Sequence, residues 1–157
     1  MTKVLLAIHV LTAIIAIGPV TVASSMFPPA ARRAAEFDKD RDHAVVATLH
    51  RICRVYAGIG IAVPVFGFAT ASSLGVLSEG WLIVSIALTA AAAAVLGLLV
   101  LPRQAVLLPG ENTTPAGRLP VDARATAQLA MYTGLFNLLW AVVTVLMIVR
   151  PGSTTGA

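Results

Sequence analysis

A single histidine, His9, lies about two helical turns inside an apolar stretch near the start of the chain. A titratable side chain is costly to place in the apolar interior of a membrane, so its presence there indicates a function. As a neutral imidazole, His9 could bind haem iron or another metal, or relay a proton. The alternative is a structural histidine that hydrogen-bonds to a carbonyl of a neighbouring helix or to Thr12. Both interpretations stay open.

A second group of chemically capable residues is His50, Cys53 and Arg54, whose three- and four-residue spacings place them on one helical face. The pair His50 and Cys53 offers two metal ligands, but zinc usually requires three or four, and only His43 lies close enough in sequence to add one. We therefore expect Cys53 to pack as a small apolar residue and Arg51 and Arg54 to reach lipid headgroups. Arg54 could also hold an anionic group such as a haem propionate.

These observations leave three candidate cofactor-binding residues, His9, His50 and Arg54. No catalytic constellation and no complete metal site is found in the sequence. One haem cannot bridge His9 and His50 if their spans enter from opposite faces, because the imidazoles would then lie roughly 15 Å or more apart along the membrane normal. A haem would instead use one of these histidines with another partner.

The composition places these residues in a membrane protein. Of the 157 residues, 58% are hydrophobic and 11% are charged, whereas soluble domains average roughly 45–50% and about 25%. The mean hydropathy is +0.90, and a soluble core of this size could not bury so much apolar surface. The composition therefore excludes a soluble enzyme and a disordered tail, and the single cysteine excludes a disulfide scaffold.

Four apolar stretches are each long enough to cross a bilayer core about 30 Å thick, which takes roughly 20 helical residues. These stretches predict an all-α, four-helix membrane bundle that forms one domain over residues 1–157. The predicted spans are residues 4–27, 45–71, 81–101 and 127–149. We expect the first to be a retained helix, because it is longer than the roughly 7–15-residue core of a cleaved signal peptide.

The prolines predict where these helices end and bend. Pro28 and Pro29 are expected to end the first helix, because proline lacks the amide donor and restrains the residue before it. Pro19 and Pro64 are expected to bend the first and second spans. The longer connections are residues 28–44 and 102–126, and several prolines and glycines predict a loop in the second.

The distribution of basic residues predicts the orientation of the bundle. Nine lie in or beside the two longer connections, namely Arg32, Arg33, Lys39, Arg41, Arg51, Arg54, Arg103, Arg118 and Arg124. Only Lys3 and Arg150 lie at the other face. The positive-inside rule then places the connections in the cytoplasm and both termini outside, with anionic lipid headgroups rather than nucleic acid as the partner of the charge. The excess of arginine over lysine and the many alanines suggest a GC-rich bacterial genome, so with its apolar spans we expect a multi-pass protein of a bacterial plasma membrane.

Small residues in the spans indicate close helix packing. Gly58 with Ala62 and Gly67 with Ala71 have the four-residue spacing that lets helices approach in lipid. This pattern fits either a compact four-helix bundle or a contact between copies of the chain. Asn137, near the middle of the fourth span, is expected to join helices rather than to bind a substrate.

The segment from Leu5 to Leu11, which contains His9, and the later Gly18 carry a family resemblance. They resemble the start of small bacterial four-span predicted integral membrane proteins of unknown function. These are similar in layout to the CopD-like copper-resistance proteins and the HemJ-like protoporphyrinogen oxidases. The second likeness implies haem binding and porphyrin oxidation, with His9 as the ligand that matches.

Two functional hypotheses follow. The preferred one is an oligomerising or accessory subunit of a membrane complex, because no acidic residue lies inside a span and small packing residues are abundant. The alternative is a haem- or metal-binding redox protein that uses His9, with haem b as the candidate cofactor. The missing intramembrane acid also disfavours a proton-coupled transporter, and nothing in the sequence identifies a substrate.

Overall fold

The computed structural model describes residues 2–108 and 123–152, and these form four long helical spans. Span one is α1 (Thr2–Phe37), and span two consists of α2 (Asp40–Ile59) and α3 (Ala62–Leu74). Span three consists of α4 (Gly80–Ala94), a π-helical segment (Val95–Val100) and α5 (Leu101–Val106), and span four is α6 (Ala123–Val149). All four are long and apolar enough to cross a membrane, so the predicted all-α, four-span fold is confirmed.

The first helix does not end at Pro28 and Pro29, and that prediction is wrong. Helix α1 continues to Phe37 because Phe27 and Pro28 are buried in the bundle core, and this packing offsets the missing backbone hydrogen bonds. At 36 residues α1 is about 54 Å long, well beyond the bilayer core of about 30 Å. The turn into α2 is made by Asp38, whose φ is 45°, and by Lys39.

The second span is interrupted at Gly60 and Ile61, between α2 and α3. Pro64 lies four residues after Gly60. In a regular helix its ring would clash with the Gly60 carbonyl, and its nitrogen, which carries no hydrogen, would donate no hydrogen bond to that carbonyl. The Val63 N–H donates to the Gly60 oxygen instead, at 3.1 Å. The second span is thus interrupted one turn before Pro64, whereas α1 remains helical across Pro19, and the predicted bends at both prolines stay predictions.

The third span extends past Pro102 into residues that the sequence predicted to be a loop. The π-helical segment precedes Pro102, and its wider hydrogen-bonding pattern accommodates the ring at the first turn of α5. The loop prediction is therefore wrong for residues 102–106 and 123–126, which are helical, and its residues 109–122 lie outside the described part of the chain. Helix ends need not coincide with membrane surfaces, so the predicted span limits stay predictions.

Helix α1 lies at the centre of the bundle, where it packs against α2, α3 and α6. The main core contains Phe27, Cys53 and Phe136, among others. We call the end of the bundle near the α1–α2 turn the hairpin end, and the opposite end, near Thr2 and Val149, the terminal end. Towards the terminal end α3 packs mainly against α1 and α4 against α6, which leaves a space between the two pairs.

Candidate functional site

A half-open cavity of about 1400 Å³ lies between α1, α3, α4 and α6, in the half of the bundle nearer the terminal end. It exceeds the roughly 300–1,000 Å³ of most small-molecule sites. Its walls are mainly aliphatic and aromatic, with polar atoms supplied at a few positions, chiefly His9, Trp81, Asn137 and Arg150. Such a mostly apolar cavity with a few polar groups suits an amphipathic ligand.

His9 is buried in the wall of this cavity and bonds to the neighbouring span. Its Nδ1 lies 3.0 Å from the carbonyl oxygen of Val63 at the start of α3. A carbonyl only accepts hydrogen bonds, so Nδ1 carries the proton and Nε2 keeps its lone pair in the neutral ring. The partner is the carbonyl of a neighbouring helix, as the structural interpretation of His9 expects, while Thr12 donates to the Ile8 carbonyl of its own helix; the ligand interpretation of His9 stays a prediction.

The ring of His9 is seated directly on the backbone of Gly67. A Cβ atom at position 67 would lie 2.8 Å from Cε1 and 3.2 Å from Nδ1 of the imidazole. Contacts below about 3.0 Å are essentially never made by real Cβ atoms, so the ring occupies the space that a side chain would need. Gly67 therefore lets α3 approach α1 closely enough for the hydrogen bond between His9 and Val63.

Asn137 lies deeper along the cavity, about three and a half turns before Arg150. Its Nδ2 donates to Ser25 Oγ of α1 at 3.1 Å, which confirms the prediction that Asn137 joins helices. Its Oδ1 is buried and has no hydrogen-bond partner among the described residues. The side chain thus fastens α6 to α1 and keeps one unused acceptor.

The His50 group lies in a different place, between α2 and α5 near the hairpin end. His50 Nδ1 is 3.2 Å from Gln104 Oε1, and Gln104 Nε2 donates to Cys53 Sγ at 3.6 Å. Gln104 and Cys53 are fully buried, and His50 is 8% exposed. The fully buried Cys53 agrees with the prediction that it packs in the core, and Gln104 satisfies both neighbours at once.

The candidate cofactor residues are thus divided between two places. His50 and Arg54 do not line the cavity that contains His9, and the Arg54 side chain is exposed on the bundle surface. His9 lies level with Val63, which follows His50 by thirteen residues, or about 20 Å of helix. Within residues 2–108 and 123–152, no three His, Cys, Asp or Glu side chains group together as metal ligands.

A model of the family of predicted integral membrane proteins, DUF2269, matches residues 3–151. The chain belongs to this family. No curated protein and no solved structure matches it. This DUF2269 protein is therefore an integral membrane protein with four candidate spans, in agreement with the resemblance to small predicted membrane proteins, while its likeness to the CopD-like and HemJ-like proteins stays a prediction.

Two partners in this DUF2269 protein were missed by sequence reasoning. The sequence predicts that Gly67 is a packing residue but does not indicate its contact with His9, and it predicts a loop at Gln104. A polar residue two positions after a proline gives no local indication that it is fully buried. The sequence contains both residues of the contact, a histidine in one span and a glycine in another. Their contact can be inferred only once the pairing of α1 with α3 is known.

Proposed function

We propose that this protein binds haem in the cavity, with His9 Nε2 as an iron ligand. The observation that carries the proposal is the hydrogen bond from His9 Nδ1 to the Val63 carbonyl, which leaves Nε2 with its lone pair. Histidines that bind metals almost always donate their other ring N–H to a carbonyl, carboxylate or water, because this fixes the tautomer and the ring orientation. His9 already has that arrangement.

The fit of a porphyrin rests on the donor set and on the space. Haem brings four nitrogen ligands of its own and needs one or two from the protein, which suits a site where a single histidine lines a large apolar cavity. His9 would hold the iron, and the surrounding aliphatic side chains would exclude water from the macrocycle. When bound, haem would supply one-electron redox chemistry.

The test is an optical spectrum of the purified protein in mild detergent, after reconstitution with haemin, in oxidised and dithionite-reduced forms. We expect a Soret band and a sharp reduced α-band at about one haem per chain, both lost in His9→Ala. His50→Ala is the matched control, because it removes a buried histidine outside the cavity. An unchanged haem content in His9→Ala, or its loss in His50→Ala alone, would refute the assignment of His9.

A second candidate function is an oligomerising or accessory subunit of a membrane complex. It is favoured by three exposed glycines whose helix faces are open, since a Cβ atom on any of them would meet no atom within 4 Å; these are Gly58, Gly97 and Gly134. Small residues allow close approach of another helix in lipid. Cross-linking in native membranes should trap a larger species, and exclusive recovery of a monomer would argue against this function.

The proposal also covers the cellular location and the orientation of the protein. We infer a bacterial plasma membrane, both termini outside, and anionic lipid headgroups around the hairpin end. The support is the concentration of arginine there, including exposed Arg51 and Arg54 and the guanidinium of Arg103 over the Tyr132 ring at 4.4 Å.

A further inference from the structure

The terminal end of the cavity contains cationic and donor groups that the His9 site does not use. The Arg150 guanidinium lies over the indole ring of Trp81, 5.5 Å from its centroid, and both residues line the cavity. Arg150 follows the last residue of α6 with a φ of 46°, a left-handed conformation that is uncommon outside glycine. Its Nε donates to the Met147 carbonyl at 3.3 Å, which anchors the guanidinium to the end of α6.

Trp81 also has a hydrogen-bond donor without a partner among the described residues, its indole N–H. Its side chain is 9% exposed, and this N–H is buried. Buried tryptophan N–H groups usually have a partner, so this one calls for an explanation. It packs with Ala71 and Leu82, and Ala71 is one turn beyond Gly67, which places the indole about 6 Å nearer the terminal end than His9.

The backbone adds to this positive character. Helix α4 begins at Gly80, so the positive end of its dipole lies beside Trp81, while the N–H groups of Leu82 and Ile83 already donate to the Glu79 carbonyl at 3.0 and 3.1 Å. Its N-cap residue, Glu79, makes no side-chain capping bond. Among the described residues neither Arg150 nor Glu79 forms an ion pair at 4.0 Å or less. The Arg150 guanidinium, the Trp81 indole and the first turn of α4 are therefore neighbours at the terminal end of the cavity.

We propose that this end of the cavity binds the acidic group, a carboxylate or a phosphate, of an amphipathic ligand whose apolar body lies beside His9. The guanidinium of Arg150 and the indole N–H of Trp81 hold the acid, because hydrogen bonds to a charged group are the stronger ones. The proposal deepens the proposed function by specifying the polarity and orientation of the ligand. It does not require iron, so it can be tested separately.

The test uses metal-free protoporphyrin IX, which cannot be coordinated by His9, and its dimethyl ester, which lacks the acid groups. The chain has two tryptophans, Trp81 and Trp140, and both line the cavity, so quenching of their fluorescence reports binding there. We expect the purified full-length protein in mild detergent to bind the acid about ten-fold more tightly than the ester. Arg150→Gln should reduce this preference to about two-fold or less.

The matched control is Lys3→Gln, which removes an exposed basic residue at the same end that does not line the cavity. It should keep the full preference for the acid, and Glu79→Gln should keep or increase it. Equal binding of acid and ester by the unmodified protein, no quenching by either, or an undiminished preference in Arg150→Gln would each overturn the proposal.

Two further measurements identify the source of the acid and separate this proposal from haem binding. Phosphatidylglycerol that displaces the porphyrin, where phosphatidylcholine does not, would identify a bilayer lipid as the source; no displacement by either would favour a carboxylate ligand. If Arg150→Gln abolishes the acid preference while haemin binding is unchanged in His9→Ala, the acid site stands and the iron assignment fails. The reverse pair of results would retain His9 and reject Arg150.

Discussion

Replacement of Gly67 by alanine should destabilise the bundle because the new methyl group collides with His9. The Cβ atom would lie 2.8 Å from Cε1 of the ring, so the imidazole must move by several tenths of an ångström. The ring is held by a 3.0 Å hydrogen bond to the Val63 carbonyl, and this displacement would stretch or break it. The substitution therefore tests whether the close approach of α1 and α3 depends on glycine.

The expected magnitude follows from two effects. Overpacking a close contact typically costs about 1–3 kcal/mol, and a buried donor that loses its partner costs about 1–3 kcal/mol. The ring can relieve the collision only by weakening the hydrogen bond, so the two costs are alternatives rather than a sum. We expect the free energy of unfolding of Gly67→Ala to be about 2 kcal/mol below that of the control variant Gly58→Ala.

Gly58→Ala serves as the control because both substitutions add a methyl group to a helical glycine and gain helix propensity, up to about 1 kcal/mol, with the smaller gain expected at Gly58 near the end of α2. A Cβ atom at position 58 meets no atom within 4 Å, so the control has no steric cost. Unfolding is followed by circular dichroism in dodecyl maltoside micelles with increasing fractions of dodecyl sulfate. The same pair of substitutions is also measured in a His9→Ala background, where the ring is absent.

The outcome in the His9→Ala background decides the cause. If the collision with the imidazole is responsible, the difference between Gly67→Ala and Gly58→Ala should fall to within about 0.5 kcal/mol once the ring is removed, as for sites that no longer interact. Equal stability of the two variants in the unmodified chain would refute the reasoning. So would a difference that persists unchanged without His9.

Three other predictions concern the rest of the bundle. Gln104→Leu should lower the free energy of unfolding by about 1–3 kcal/mol, because it leaves the buried His50 N–H without its acceptor. This loss of stability should be smaller in a chain that also carries His50→Ala, and an equal loss there would contradict the pairing. Cys53, fully buried, should resist a polyethylene-glycol maleimide in mild detergent and react after dodecyl sulfate is added, as read from a gel shift; rapid labelling of the folded protein would contradict its burial. The orientation can be tested in a Cys53→Ala chain with a new cysteine at one of two exposed positions, Ser73→Cys or Ala35→Cys. On intact bacterial cells with a permeable outer membrane, an impermeant maleimide should react with Ser73→Cys, whereas Ala35→Cys should react only after lysis. The opposite pattern would reverse the inferred orientation.

Much of the architecture was predictable because it depends on local properties of the chain. The number of spans follows from the length of each apolar stretch, and these lengths are set by the thickness of the bilayer core. The interruption before Pro64 also follows from a local cause, the missing N–H and the ring clash of proline. The continuation of α1 through Pro28 and Pro29 was not predictable, because it depends on burial against other helices.

For the candidate sites as well, some features follow from the local sequence and others only from the tertiary structure. The sequence by itself determined that His9 lies in an apolar span and that four spans exist, since each is a matter of composition and spacing. Only the tertiary structure decided that His9 bonds to Val63 and rests on Gly67, and that Gln104 joins His50 to Cys53. Both histidine bonds join residues 54 positions apart. Such pairings depend on the rotation and depth of one helix against another, which are set by packing across the whole bundle rather than by any local stretch of the chain.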